Sequence, residues 1–273
     1  MAAAEAEASA YSASFIDQAI LSVEAELDGI SGLKAEQKGA LKAILNGEDV
    51  LALLPTGFGK SLIYQVLPRV CKKLPIVIVV SPLVALMEDQ IKEASKFGVS
   101  AAQLGKSDEE ILSGKAELVF GSPESWLLNE KWRGMLASSR YRRNIVAIVV
   151  DEVHMTYKWG EGPKGNPAFR ESFSRLGELR SLVKEGTPIL ALTASADRPS
   201  RDRVIKILRI IFEVFDDIPE PEPSKLTQTP VPSVSFNGYF DEDSDDDDAL
   251  YHALDDTDFS ALNMYDSDEE HEN

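Results

Sequence analysis

At 273 residues the chain has room for one large domain or two small ones, and 44% of it is apolar, enough to bury a core. It carries 28 Lys and Arg against 46 Asp and Glu, a formal net charge of −18, but 20 of those acids and only one base, Lys225, follow Phe212. Met1 to Phe212 keeps 27 bases and 26 acids, a net of +1, so the acidity belongs to a tail and gives the folded part no broad electrostatic footprint for nucleic acid.

Residues 1–13 are rich in Ala, Ser and Glu and read as a flexible leader. Early acids without Lys or Arg before Lys34 exclude a secretory n-region and an Arg-rich transit peptide. Ile16, Ile20, Val23, Leu27 and Ile30 then recur at helical spacing, which predicts an amphipathic helix ending near Gly32. A second helix is expected over 35–45, stopped by Asn46-Gly47. From there short β-branched runs at 50–54, 76–80, 118–120, 145–150 and 189–192 alternate with helix-like segments. Continuous apolar strands separated by helices imply an α/β fold, a parallel sheet covered on both faces. A last helix is expected from Pro199 to about Phe215, which sets the folded domain at 14–216.

Residues 217–273 form a Pro-rich linker and an acidic tail, expected to be disordered because so little apolar surface cannot offset ordering entropy. The tail's aromatics lie among acids, a pattern suited to a basic protein partner; a merely solvating tail is the alternative. A single cysteine, Cys71, excludes an internal disulfide framework and a Cys-rich zinc module. Only His154 of three histidines precedes the tail, which excludes a His-based metal cluster. The longest apolar run, around 74–87, is broken by Ser81-Pro82 and too short to span a membrane.

Two segments carry chemistry. Leu54-Pro55-Thr56-Gly57-Phe58-Gly59-Lys60-Ser61 follows a strand and precedes a helix-like run. A phosphate chain needs inward-turned backbone N–H groups and a helix N-terminus, and Gly57 and Gly59 permit that turn. Lys60 can reach the β- and γ-phosphates and the Ser61 hydroxyl can ligate Mg²⁺, although Leu54 stands where the strict pattern has Gly. Asp151-Glu152-Val153-His154 ends the 145–150 run, where parallel sheets of this class open their ligand crevice. Asp151 suits the metal and Glu152 suits polarising a water.

Together these segments resemble the first motor domain of RecQ-like, superfamily-two DNA helicases, a RecA-like P-loop domain. The nucleotide loop continues Leu62-Ile63-Tyr64-Gln65 in family style, and the family's DEAH box is here DEVH. Its motif Ia is similar to Ser81-Pro82-Leu83-Val84-Ala85-Leu86-Met87-Glu88-Asp89-Gln90, its Ib to Gly121-Ser122-Pro123-Glu124, and its motif III to Ala191-Leu192-Thr193-Ala194-Ser195-Ala196. The resemblance implies ATP and Mg²⁺ as cofactors, with Thr56, Gly57, Phe58, Gly59, Lys60 and Ser61 around the phosphates. It gives Gln37, 23 residues before Lys60, the adenine edge, beside Lys34; Leu33 stands where the family has an aromatic. It makes Glu152, Lys60 and His154 catalytic, and has His154 couple hydrolysis to DNA through Thr193 and Ser195. It makes Trp159, Phe169 and Arg170 an aromatic-rich loop that senses DNA, with exposed rings stacking on bases; packing of those rings in the core is the alternative. Lys131, Arg133, Arg140, Arg142 and Arg143 read as a solvated face.

Nothing beyond residue 208 resembles the family's later motifs, and the tail holds no arginine. A lone first motor domain is therefore expected to hydrolyse slowly and not to unwind DNA alone, with a second motor domain supplied in trans. The implied partner is single-stranded or forked DNA, and the implied compartment is the nucleus, otherwise the cytoplasm. The alternative function is a catalytically weak nucleotide- or DNA-binding regulator acting through its acidic tail.

Overall fold

The computed structural model describes residues 11–27, 32–71, 74–160, 170–194 and 196–210. The chain divides into two units, Met1–Asp216 and Asp217–Asn273, and every described residue belongs to the first. Most of the expected leader, Phe169, Ser195 and the expected linker and tail lie outside the described residues.

Helix α1 (Ala13–Glu26) starts at Ser12, whose Oγ accepts from the Phe15 amide at 3.3 Å, and buries Ile16, Ile20 and Val23. It ends at Glu26 rather than near Gly32, because Leu27 turns to an extended conformation and buries its own side chain. Glu24 in the last turn accepts from the Leu33 amide at 2.7 Å and pairs with Lys38 at 2.9 Å. That carboxylate ties α1 to α2 (Ala35–Leu45), whose bounds are those read from the sequence.

Six strands follow, interleaved with helices: β1 (Val50–Leu53), α3 (Lys60–Val70), β2 (Ile76–Val80), α4 (Val84–Lys96), β3 (Ala101–Gln103), α5 (Asp108–Leu112) and β4 (Leu118–Gly121). Next come α6 (Pro123–Leu128), α7 (Glu130–Ala137), α8 (Ser139–Asn144), β5 (Ile145–Val150) and α9 (Met155–Gly160). A 3₁₀ stretch (Glu171–Glu178), α10 (Leu179–Leu182), β6 (Ile189–Thr193) and α11 (Arg198–Leu208) complete the described domain. Strand β3 was absent from the sequence expectation, since Ala-Ala-Gln carries no β-branched signal; its register, Ala102 against Val119 and Gln103 against Phe120, is set by β4. Helix α11 closes at Arg209, in a left-handed conformation, instead of running on to Phe215.

All pairings are parallel, in the order β1-β6-β5-β2-β4-β3. Every residue of β2, β4 and β6 is buried, so both faces of the sheet are covered by helices. Each such Val, Leu, Ile or Phe contributes about 1.5–3 kcal/mol of transfer free energy. Strand β6 lies between β1 and β5, and this order brings the chemistry together: Leu53 registers with Thr193, and Val150 with Ala191. The loops leaving β1 and β5 flank the tip of β6 at one end of the sheet.

Candidate functional site

The turn leaving β1 is shaped by two glycines in left-handed conformations, Gly57 (φ 78°) and Gly59 (φ 90°). A Cβ at Gly59 would also stand 2.8 Å from Gln37 Nε2, so a side chain there would be strained by its φ and would push the Gln37 amide aside. The Leu54 amide donates to Thr193 O at 3.0 Å and the Phe58 amide to Pro55 O at 3.1 Å. Leu54 is buried, which explains an apolar residue where a glycine is usual: it roots the turn in the core. Pro55, Thr56, Gly57 and Gly59 stay exposed. Lys60 begins α3, has no acid in the helix's first turn, and rests its ammonium 3.2 Å from Leu54 O.

Helix α2 braces this turn from behind. Lys34 Nζ donates to Phe58 O at 3.0 Å and sits 3.8 Å above the Phe58 ring centroid. Gln37 Nε2 donates to Gly59 O at 2.9 Å while its Oε1 accepts from the Lys34 amide at 2.7 Å. Gln37 is 2% exposed, not a surface residue, and its carboxamide is spent on the turn itself. Leu33, in the aromatic's place, is buried in the core.

Asp151 and Glu152 leave β5, with the Asp151 amide donating to Val80 O at 2.9 Å and the Val153 amide to Leu192 O at 2.8 Å. Glu152 takes a left-handed φ of 45°, a strained conformation for a residue with a Cβ, and its amide donates to Asp151 Oδ1 at 2.9 Å. Burial, and then the Glu152 charge, push the Asp151 carboxyl up to about 6, against the opposing pull of the Glu152 amide and Lys60. Glu152 moves the other way: the hydrogen bond from His154 holds it below the ordinary carboxylate range. His154 Nδ1 lies 3.2 Å from Glu152 Oε2 and 3.1 Å from Thr193 Oγ1, at the fully buried tip of β6. The histidine therefore links the acid pair to the motif III strand across 39 residues of sequence.

Gly57, Gly59, Lys60, Ser61, Asp151 and Glu152 line one cleft of about 290 Å³, which Ser81, Pro82, Leu83, Leu86 and Gln90 also line. Glycine N–H groups, an ammonium, a hydroxyl and two carboxylates sharing so small a space suit a phosphate chain with a hard cation. Among the described residues no cluster of three or more His, Cys, Asp or Glu could hold a metal by itself. Gln90 was not singled out from the sequence as a site residue, because nothing local marks one polar side chain of an exposed helix as facing a cleft.

The aromatic segment corrects an expectation. Trp159 is 4% exposed, not an open platform, because its indole meets the buried Phe173 ring edge-on at 5.6 Å. Arg170 is turned inward as well: its guanidinium grips both Glu124 carboxylate oxygens, one through Nε at 3.0 Å, and donates to Pro82 O at 2.9 Å. It also stacks 4.7 Å from the Phe173 centroid. Arg170 thus joins the two segments that resemble motifs Ia and Ib instead of offering its charge to solvent. Phe169 lies outside the described residues. In the basic cluster, Lys131 pairs with Asp108 at 2.6 Å and Arg133 donates to Leu127 O at 2.8 Å, in keeping with a face whose charges are used locally.

The family model "DEAD/DEAH box helicase" matches residues 34–203. The chain is 31% identical over 199 residues to the ATP-dependent DNA helicase RecQ of Haemophilus influenzae, covering 70% of this chain and 30% of that protein. It is 33% identical over 195 residues to the ATP-dependent DNA helicase hus2/rqh1 of Schizosaccharomyces pombe, covering 66% and 14%. Among solved structures, the DUF1998 helicase MrfA bound to DNA and AMPPNP superposes with a TM-score of 0.53 at 19% identity, over 74% of this chain and 29% of that one. That likeness is one of fold. The chain spans no more than 30% of the length of either curated relative.

Proposed function

This chain belongs to the DEAD/DEAH box helicases and carries the first, RecA-like motor domain of a RecQ-like member, and on that footing we propose that it binds and hydrolyses ATP under the control of DNA. The observation that supports the reading is the convergence of Lys60, Ser61, Asp151 and Glu152 on one cleft. The family assignment favours the motor over a regulator working through an acidic tail.

The donor set fits magnesium: two carboxylates and a hydroxyl are hard oxygen ligands of the kind that ion takes. Ser61 and Asp151 would hold the ion, which neutralises charge on the β- and γ-phosphates when bound. Lys60 leaves the Leu54 carbonyl for those phosphates, and the amides around Gly57 and Gly59 cradle them. Glu152, kept ionised by His154, accepts the proton of the attacking water. Lys34 and Gln37 reach an adenine edge by exchanging the Phe58 and Gly59 carbonyls for the base. His154 couples this chemistry to β6 through Thr193, and Ser195 belongs to the same proposed relay.

DNA, single-stranded or forked, is the proposed partner, and the nucleus the compartment this reading implies. No described helix is long and apolar enough to cross a membrane. Unwinding belongs in this reading to the first motor domain working with a second one, because opening and closing two domains around ATP is what moves the strand. The test is Mg-ATP turnover by the 273-residue chain with and without single-stranded DNA, for wild type and Lys60→Ala. DNA-stimulated turnover that falls about 10²–10³-fold in the variant is expected. Wild type that neither binds nor hydrolyses ATP overturns the reading.

A further inference from the structure

The cleft lining holds a polar side chain that the mechanism above does not use. Gln90, on the second turn of α4, is half-buried and lines the same cleft as Lys60 and Ser61. Its Oε1 accepts two hydrogen bonds, from the Tyr64 hydroxyl at 2.9 Å and from Gln65 Nε2 at 2.9 Å. Both donors are rigid: Tyr64 is 0% exposed, packed edge-on against Phe120 at 6.2 Å, and Gln65 is 1% exposed.

The chemistry of the cluster settles which end of the Gln90 amide faces which way. Gln65 Nε2 also lies 3.4 Å from Glu93 Oε2, and a carboxylate only accepts. Gln65 must therefore present its NH₂ to this cluster, and Gln90 must answer with its oxygen. That leaves Gln90 Nε2, which makes no hydrogen bond among the described residues, as the uncommitted end of a side chain in the cleft wall. An amide NH₂ donates and cannot accept, so the group it suits is an acceptor, and the cleft as read above is to be filled by phosphate oxygens.

We propose that Gln90 is a phosphate-binding residue, its amide aimed by Tyr64 and Gln65 at the terminal phosphate of a bound nucleoside triphosphate. The proposal rests on the ATP reading and deepens it. It gives the cleft a donor on α4 to face the donors of the β1 turn, so that the outermost phosphate is held from both walls. A diphosphate lacks that group and does not reach the second wall. Gln90 then reports whether a γ-phosphate is present, to the helix that carries most of the motif Ia segment.

The experiment is equilibrium binding of Mg-AMPPNP and Mg-ADP to the full 273-residue chain. Gln90→Glu keeps the oxygen that Tyr64 and Gln65 need and replaces the donor by a carboxylate, so the orienting network survives while the phosphate contact becomes repulsive. Its Kd for AMPPNP is expected to rise tenfold or more, roughly the loss of one hydrogen bond to a charged group, while its Kd for ADP changes less than about threefold. Tyr64→Phe, which keeps the packing and removes one of the two orienting donors, is expected to show a smaller loss confined to AMPPNP. Gln90→Ala provides the same comparison should the carboxylate disturb folding. Equal losses for both nucleotides, or none for either, overturn the assignment of Gln90 and leave the ATP reading standing. Wild type that binds neither nucleotide overturns the ATP reading and the Gln90 assignment with it.

Discussion

The cleft between the β1 turn and the β5 acids, and the Trp159–Arg170 cluster, both join segments far apart in sequence, but they spend their polar groups differently. In the cleft, Lys60 holds a single backbone carbonyl, Gly57 and Gly59 are exposed, and the Asp151 carboxyl is pushed up by burial beside a second acid. In the cluster, every donor noted for Arg170 is matched: Glu124 takes two, Pro82 one, and the aromatic rings of Trp159 and Phe173 cover the guanidinium plane. Unmet polar groups mark a place built to receive something. Met ones mark a joint. The difference teaches that the aromatic segment, in this conformation, holds the Ia and Ib segments together more than it offers a surface.

Substitutions can break that contrast. The largest effect is expected at Glu152: Glu152→Gln removes the proposed general base and is expected to lower ATP turnover about 10²–10⁴-fold. Its unfolding midpoint should barely move, because the cleft is not what holds the fold together. Steady-state turnover beside a denaturant titration checks both halves, and a variant that loses stability and activity together would erase the distinction.

Trp159→Ala should do the reverse, costing about 3–5 kcal/mol of stability, as truncation of a buried aromatic does. Urea unfolding measures it. A loss below about 1 kcal/mol, with weakened DNA binding, would return Trp159 to the surface role read from the sequence. Arg170→Met is the smallest and the most discriminating: it keeps the stem over the rings and leaves Glu124 without its partner. The side chains of that pair are 15% and 32% exposed, so solvent screens part of the loss and about 1 kcal/mol is expected. A gain in stability would mean that the ion pair is kept for geometry, at a cost.

How far the site could be read from the chain varies with the distance between partners. The β1 turn was legible because strand, glycines, lysine and helix are consecutive, and the same holds for Asp151 to His154. The expected strands at 76–80 and 145–150 have the bounds the structure gives, since both are continuous apolar runs, β-branched at every position but Ala147. Strand β3 was missed because Ala-Ala-Gln becomes a strand only when β4 supplies the ladder. Gln37 was given the adenine edge by resemblance, but its clasp on the turn had no local signal: 21 and 22 residues separate it from the carbonyls that take its amide. Arg170 was read as part of a DNA-sensing loop, and its pairing was missed because Glu124, 46 residues away, has no local signature.

The order of residues alone determined the fold class, the strands with strong apolar runs, and the turn and acids that define the cleft, because each is a contiguous pattern set by backbone conformation and hydrophobic period. Tertiary structure decided the rest. It chose the strand order that sets β6 between the turn and the acids, the inward turn of Trp159 and Arg170, and the clasp of Gln37 on Gly59. It also set the aim of Gln90. These depend on which side chains meet across the sheet, and burial rewards such meetings only after the chain has closed loops that leave no mark on local sequence.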